Sequence, residues 1–543
     1  MLRIVGGRVY DPANDVHGEI RDICIANGRI VSSVEGGQVI DARGRIVFPG
    51  GVDVHTHIAG GKVNFARKMH PEDHRRSPPY ARTKDFRSGV GTVLPSTFTT
   101  GYLYAGLGYT SVIEAATPPL MARHSHEELH DTPMVDKGFY VLLGNNETMI
   151  NLLSVGEEAR ARDFVAWLVG LTKALSVKIV NPGGVVAWKF GGDAKGFAEP
   201  LPPAGVSPRQ IVTFLARTVD ELGLPHPVHI HCNQLGRPGN YLTTLETMRA
   251  LEGRRAHMAH VQFHCYGGED WGHMSSQAAA VAEYLNTHPN LTADSGNVLF
   301  GPAVTITGDG PWEHLLYQVT GHKWSNLDQE NEEGCGIIPY VYREKNLVNA
   351  VQWAVGLEVL LLVRNPWQIF LSTDHPNGGM FTRYPHLIRL LMDANARRDY
   401  LRRLPPRVLK RTVLAELDRE YTLSEIAIVT RAGPARVLGL THKGHLGVGA
   451  DADVTIYNDE PDIERMFANP RYVIKGGEIV VEDGELRRQV WGATFTAQPA
   501  FDQAIEAYLR RVFEESYTIA FDHYSITSDV ISDLRVIPCR SPA

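Results

Sequence analysis

The sequence predicts an α/β protein: a (β/α)8 TIM barrel with a small β-sandwich assembled from its N- and C-terminal flanks. Three observations carry that expectation. Between about residues 50 and 435, short apolar runs alternate with longer helical patterns. Strand patterns cut by turn residues appear at both ends of the chain, with the same texture. Side chains of metal-ligand type recur where successive apolar runs end.

Residues 1–50 read as short strands, LRIVGGRVYD, DICIANGRIVSSV and QVIDARGRIVFPGG, with Gly-Gly and Asn-Gly where hairpins would reverse. Residues 436–490 show the same texture in HLGVGADADVTIYN and YVIKGGEIVVEDG, so both stretches are expected to pair into one composite sandwich. From 51 to 435, TSVIEAATPP, FYVLLGNN, LSVKIVNPGG, PVHIHCNQ and QIFLSTDHPNGG alternate with helical patterns such as RDFVAWLVGLTKAL and RQIVTFLARTVDELG. Strand alternating with helix is the signature of parallel βα units, whose C-terminal strand ends carry the active site of a barrel. Residues 491–543 form a C-terminal extension in which FDQAIEAYLRRVFEES places apolar positions at helical spacing, as for a packed helix.

A chain of 543 residues, 43% hydrophobic, has material for one large core and a smaller second one. Its 54 Lys and Arg against 61 Asp and Glu give a net charge of -7, no global reason to bind nucleic acid or an anionic membrane. The five cysteines, Cys24, Cys232, Cys265, Cys335 and Cys539, are scattered and never form C-x-x-C, which argues against a disulfide framework and a thiolate zinc site. The N-terminus lacks a charged head before an apolar stretch, and AVGLEVLLLV is short and carries Glu358. A cytoplasmic protein without a membrane span is the expectation.

In VDVHTHIAG, His55 and His57 stand at i and i+2, so both imidazoles project from one side of a strand toward one metal. H-x-H alone is a weak signal; at the end of a first barrel strand it is a stronger one. Lys178 lies inside the apolar run LSVKIVNPGG, where an ammonium is costly to bury unless paired or chemically changed. From the residues alone, a lysine reaching a rim, or paired with a carboxylate, is the stronger explanation. PVHIHCNQ offers His229 and His231, AHMAHVQFHCYGG offers His257, His260 and His264, and FLSTDHPNGG ends on Asp374 beside His375. Each has an ordinary structural explanation. Together they form a nitrogen and oxygen ligand set suited to zinc.

These motifs, with the GHLGVGADADVTIYN return, resemble the amidohydrolase superfamily over residues 1 to about 490. The resemblance implies two divalent ions, zinc by ligand type, held by His55, His57, Lys178 as N6-carboxylysine, His231, His260 and Asp374. His231 is preferred to His229 because HCN looks like the family's strand-five motif, and His260 to His264 because AHVQ looks like its strand-six motif. Lys189, in VVAWKFGG, is the second choice for the modified lysine. Within the superfamily, KIVNPGG, HIHCNQLG, ADSGNVLFGPA and STDHPNGG are similar to the A subunits of formylmethanofuran dehydrogenase and the alpha subunits of bacterial formyltransferase/hydrolase complexes. That similarity implies hydrolysis, or reversal, of the formamide bond of a methanofuran-type C1 carrier, beside a formyltransferase and other subunits.

On that basis Asp374 takes a proton from the attacking water and gives it to the departing nitrogen. Asn233, His264 and Asn297 are expected to orient substrate or ligands. The segment KVNFARKMHPEDHRRSPPYARTKDFRSG carries eight Lys and Arg against three Asp and Glu. Lys62, Arg67, Lys68, Arg75, Arg76 and Arg82 are therefore expected to attract an anionic substrate tail, with Arg75 and Arg76 foremost; a subunit interface or a solvated loop is the alternative. The competing functions are a cyclic amidase of the hydantoinase or dihydroorotase kind, and a non-catalytic scaffold, which six occupied ligand positions disfavour.

Overall fold

The computed structural model describes all residues except 76–79, 81, 193, 195, 330, 532, 542 and 543. Arg76 therefore lies outside the described residues. Eight parallel strands build the barrel: β1 (Gly51–Thr56), β2 (Tyr109–Thr117), β3 (Asp136–Leu142), β4 (Ser176–Val180), β5 (Val228–His231), β6 (Ala256–Met258), β7 (Leu291–Asp294) and β8 (Ile369–Phe370). They pair in that order. A parallel bridge from Thr56 to His375, backed by the His57 N–H donating to His375 O at 2.7 Å, links the first strand to the segment after the last. Strands buried on both faces need continuous Val, Ile and Ala runs, which is why these segments lack polar alternation.

The flanks form one nine-stranded sheet. Arg45–Pro49 is its hinge between the two ends of the chain: it runs parallel to Leu2–Asp11 on one side and antiparallel to Val454–Asn458 on the other, with Phe48 opposite Thr455. Ile4, Ile25, Ile40, Val47, Val454, Ile456 and Ile474 share its buried core. Asn27 and Gly28, both at positive φ, make the expected tight reversal. Gly6-Gly7 does not reverse the chain. It sits at a bulge within Leu2–Asp11, where a Cβ on Gly7 would lie 2.5 Å from Val47 Cγ2, so close packing and not a turn requires glycine there.

The C-terminal extension adds Thr494–Thr496 and Leu534–Val536 beside β3 and packs helix Ile505–Ser516 through Phe513 against Trp167. A buried ion cluster joins the parts: Lys443 and Lys475 meet Asp136 of β3 and Asp453 of the flank, while Asp451 binds Lys443 and Arg535 of the extension.

One feature lies outside the sequence expectation. Between β7 and β8 the chain leaves the barrel as an antiparallel sheet of Gly301–Thr307, Ser325–Gln329 and Glu332–Tyr342, with helix Gly310–Thr320 inserted, and this lobe roofs the strand ends. Its base is fastened to the extension, where Tyr524 Oη meets Glu332 and Asn331 Nδ2 donates to Ser516 O. Among the described residues no helix is long and apolar enough to cross a membrane.

Candidate metal centre

At the C-terminal strand ends lies a cavity of about 370 Å3 lined by His57, Lys178, His231, His260 and Asp374. The roof contributes Thr305, Trp312, Glu313, Tyr340 and Tyr342. His55 sits just beneath. Its Nε2 lies 3.0 Å from Asp374 Oδ1, and His57 Nε2 lies 3.1 Å from the same oxygen. All six residues named from the sequence as ligands are thus brought together and buried.

The backbone is held tightly here. Asn181, Gln234, His260 and Asp374 all take positive φ just beyond β4, β5, β6 and β8, a conformation costly for non-glycine residues and typical of sites fixed by their surroundings. Gly296 shows the tolerance: at φ +63°, a Cβ there would lie 2.3 Å from His260 Cβ.

Carboxylates from two further strands orient the H-x-H pair. Glu114 of β2 places Oε1 3.0 Å from His57 Nδ1, while Asp294 of β7 places Oδ2 2.9 Å from His55 Nδ1 and 3.1 Å from His257 Nε2. Asp294 Oδ1 also accepts the His260 N–H at 2.9 Å. Burial alone would protonate Glu114, but the charges of Lys62 and His57 bring it down to about 2. Burial likewise opposes ionisation of Asp294 and Asp374, yet the neighbouring imidazoles hold both well below the ordinary aspartate range. Neither Glu114 nor Asp294 stands out in the sequence. Only the apolar run ending in ADSG marks Asp294 as the end of a barrel strand.

Several buried polar atoms have no hydrogen-bond partner among the described residues, His260 Nδ1 and Lys178 Nζ among them, and His231 Nε2 has only Asp309 at 3.5 Å. Leaving such groups unpaired costs about 1–3 kcal/mol each, so their convergence fits a centre that holds cations. Burial depresses the pKa values of His231 and His260, leaving neutral imidazoles with a free lone pair. It also lowers Lys178 to about 8. Lys189, by contrast, does not line the cavity and donates Nζ to Glu332 O at 3.0 Å.

The remaining expected residues fare differently. Asn233 lies behind the cavity, its Nδ2 donating to Asn181 Oδ1 at 2.7 Å, and Asn297 is enclosed, with Oδ1 accepting from Ser295 Oγ at 2.7 Å. His264 is buried beside His231 and His260 without lining the cavity. His229, the alternative to His231, points down the barrel to His226 and His55, 3.0 Å from each. Arg75 ends an exposed turn, Pro71–Arg75. Two members of the basic segment are corrected outright. Lys62 is buried against Glu114 at 2.9 Å, and Arg67 is engaged by Glu128 at 3.0 Å and Pro95 O at 3.0 Å, so both serve the fold and neither is free for an anionic tail.

Comparison with known proteins agrees with this geometry. The amidohydrolase family model matches residues 38–481. Protein FwdA of Methanocaldococcus jannaschii is 44% identical over 98% of each chain. The A component of the formyltransferase/hydrolase complex Fhc of Methylorubrum extorquens is 39% identical over 97% of this chain and 96% of its own. A chain in the crystal structure of that organism's FhcABCD complex with methylofuran superposes with a TM-score of 0.94 at 38% identity, covering 99% of this chain and 100% of the other. With a metal-type cluster at the mouth of its barrel, the chain belongs to the amidohydrolase family.

Proposed function

We propose that this chain is the hydrolase subunit of a formyltransferase/hydrolase complex, acting in the cytoplasm, that splits the N-formyl amide of a methanofuran-type C1 carrier into formate and free amine. The observation that carries the proposal is the buried set His55, His57, Lys178, His231, His260 and Asp374 around one cavity, in a chain 39% identical over nearly its whole length to the A component of such a complex.

Two divalent ions, zinc by ligand type, would be held by those six residues, Lys178 as its carbamate, and would supply an electrophile for the formyl oxygen and an acidified water. The protein's own residues do the rest. Lys178, with its pKa lowered to about 8, has more free amine at neutral pH than an ordinary lysine, and only the free amine adds carbon dioxide. Asp374 is fixed by Asn377, whose Nδ2 donates to Oδ1 at 2.9 Å, and by Ser372, whose Oγ accepts the Asp374 N–H at 2.8 Å. Its carboxylate takes the proton of the attacking water as the oxygen bonds to the formyl carbon. It then delivers that proton to the nitrogen as the C–N bond breaks. The aromatic roof residues Trp312, Tyr340 and Tyr342 give an apolar wall suited to a furan ring, and exclude water around it. Lys68, Arg75 and Arg82 remain exposed to meet an anionic tail.

The test is formate release from N-formylfurfurylamine by the metal-loaded chain. Asp374→Asn should lower kcat by at least ~100-fold, the scale of general acid-base catalysis. Ring opening of dihydroorotate or a hydantoin without deformylation would replace this function with a cyclic amidase. The same site run in reverse condenses formate with the amine, as the resemblance to formylmethanofuran dehydrogenase implies. A co-purified formyltransferase supports the hydrolase assembly, and a metal-pterin subunit the dehydrogenase.

A further inference from the structure

We propose that His264 is a seventh metal ligand, which completes with His231 and His260 a pocket of three imidazoles for one zinc-type divalent ion. The inference rests on the metal-centre reading above and extends its six-residue set.

One nitrogen from each of the three rings falls within 4.8 Å of the others. The ring centroids are 4.7 Å apart for His231 and His260, and 5.3 Å from His264 to each of them. All three side chains are buried, with His264 only 1% exposed. His231 Nε2, His260 Nδ1 and both ring nitrogens of His264 lack hydrogen-bond partners among the described residues. Two carboxylates stand at its edge: Asp309 Oδ2 is 3.5 Å from His231 Nε2, and an Asp374 oxygen lies, with a His55 nitrogen, within 4.8 Å of a His260 nitrogen.

An imidazole that merely fills a core keeps at least one nitrogen bonded, because two unmade hydrogen bonds in a dry interior cost about 1–3 kcal/mol each. His264 has neither. A substrate contact does not account for it, since His231 and His260 line the cavity and His264 stands behind them. An ion between the three rings satisfies all three free nitrogens at once. Three neutral nitrogen donors favour zinc, cobalt or nickel over the oxygen-seeking magnesium or calcium.

The arrangement also divides the centre. A neutral imidazole offers one lone pair, so His260 serves a single ion. If that ion is the one shared with His231 and His264, then His55 and His57, each with Nε2 within 3.1 Å of Asp374 Oδ1, form the other position with that carboxylate. The two positions then differ in the ligands that they do not share: one has three neutral imidazoles, the other two imidazoles and the Asp374 carboxylate, with the Lys178 carbamate available to either.

Cobalt titration of the full chain in bicarbonate buffer tests this without any substrate. Wild type should bind two cobalt ions per chain. His264→Ala should weaken one of them by more than about 100-fold, beyond the 10- to 100-fold that loss of an outer hydrogen-bond partner causes, and should change the visible cobalt spectrum. Millimolar imidazole should restore both binding and spectrum. His264→Gln serves if the alanine variant does not fold, judged by circular dichroism. Two cobalt ions held as in wild type by either variant, with an unchanged spectrum, overturn the proposal. So does a wild-type chain that binds only one. Loss of cobalt in a chain that fails to deformylate would leave this ligand assignment standing and remove only the proposed substrate.

Discussion

Glu114 Oε1 lies 3.0 Å from His57 Nδ1, and the other oxygen of the same carboxylate accepts the backbone N–H groups of Ile58 and Ala59. One side chain on β2 thus fixes both the ring and the backbone of the H-x-H segment on β1. Glu114→Gln keeps acceptor capacity but loses the charge that binds His57 and Lys62. Metal affinity should fall about 10- to 100-fold, measured by competition with a chelator. Glu114→Ala also strands Lys62, itself buried, and should cost about 3–5 kcal/mol in denaturant unfolding. An alanine variant as stable as its parent would show that the pair contributes little.

Gly296 packs directly against His260. Gly296→Ala adds a Cβ 2.3 Å from His260 Cβ at a φ that alanine resists, so the loop must move and carry His260 with it. The expected outcome is a loss of about 1–3 kcal/mol together with reduced metal content, read by calorimetry and elemental analysis. Full metal occupancy in a destabilised variant would disconnect Gly296 from the ligand position.

Glu313 lines the cavity from the roof, accepts the Thr305 hydroxyl at 2.8 Å, and is pushed up to about 8 by burial. Its pKa is raised from 4.5, so its contribution to stability is full below pH 4.5 and is lost as pH climbs toward 8. Glu313→Gln removes that loss. Between pH 5 and 8 the variant's stability should gain on the parent's by up to about 1.4 kcal/mol per pH unit. Parallel stability curves would mean that the carboxyl is ionised in place.

Lys443 sits among Asp136, Asp451 and Asp453, all nearly inaccessible to solvent. Lys443→Met leaves three carboxylates to Lys475 and Arg535, and should cost about 3–5 kcal/mol. Although burial opposes it, the lysines hold Asp136 and Asp453 below the ordinary value of 3.8. The stability they confer is present above that value and lost as pH falls below it. Wild type should therefore lose more stability than Lys443→Met on acidification from pH 5 to 3; an equal loss would place the acid-sensitive groups elsewhere.

Much of this was legible in the sequence because barrel strands are short, apolar and end in the residues that do chemistry. The i, i+2 spacing of His55 and His57 and the polar ends of LSVKIVNPGG and FLSTDHPNGG needed no tertiary information. The roof was hidden for a physical reason: among the described residues the strands within 301–342 pair only with one another, so they interrupt the βα rhythm without announcing where they return. Glu114 and Lys62 were hidden because a buried ion pair closed across 52 residues looks, in one dimension, like two unrelated charges. The basic loop misled for the same reason, since composition counts charges and cannot see partners.

The nine-stranded sheet also sets the order in which the chain can be finished. Arg45–Pro49 is made early in synthesis, yet its neighbour Val454–Asn458 arrives some four hundred residues later. Until then its outer edge is an open row of hydrogen-bonding groups on an apolar strand, the template on which chains aggregate. Such a long-range closure is slow. A ribosome-bound chain released before Val454 would leave that edge bare, so premature termination or heterologous overproduction should yield aggregates rather than a shortened working barrel.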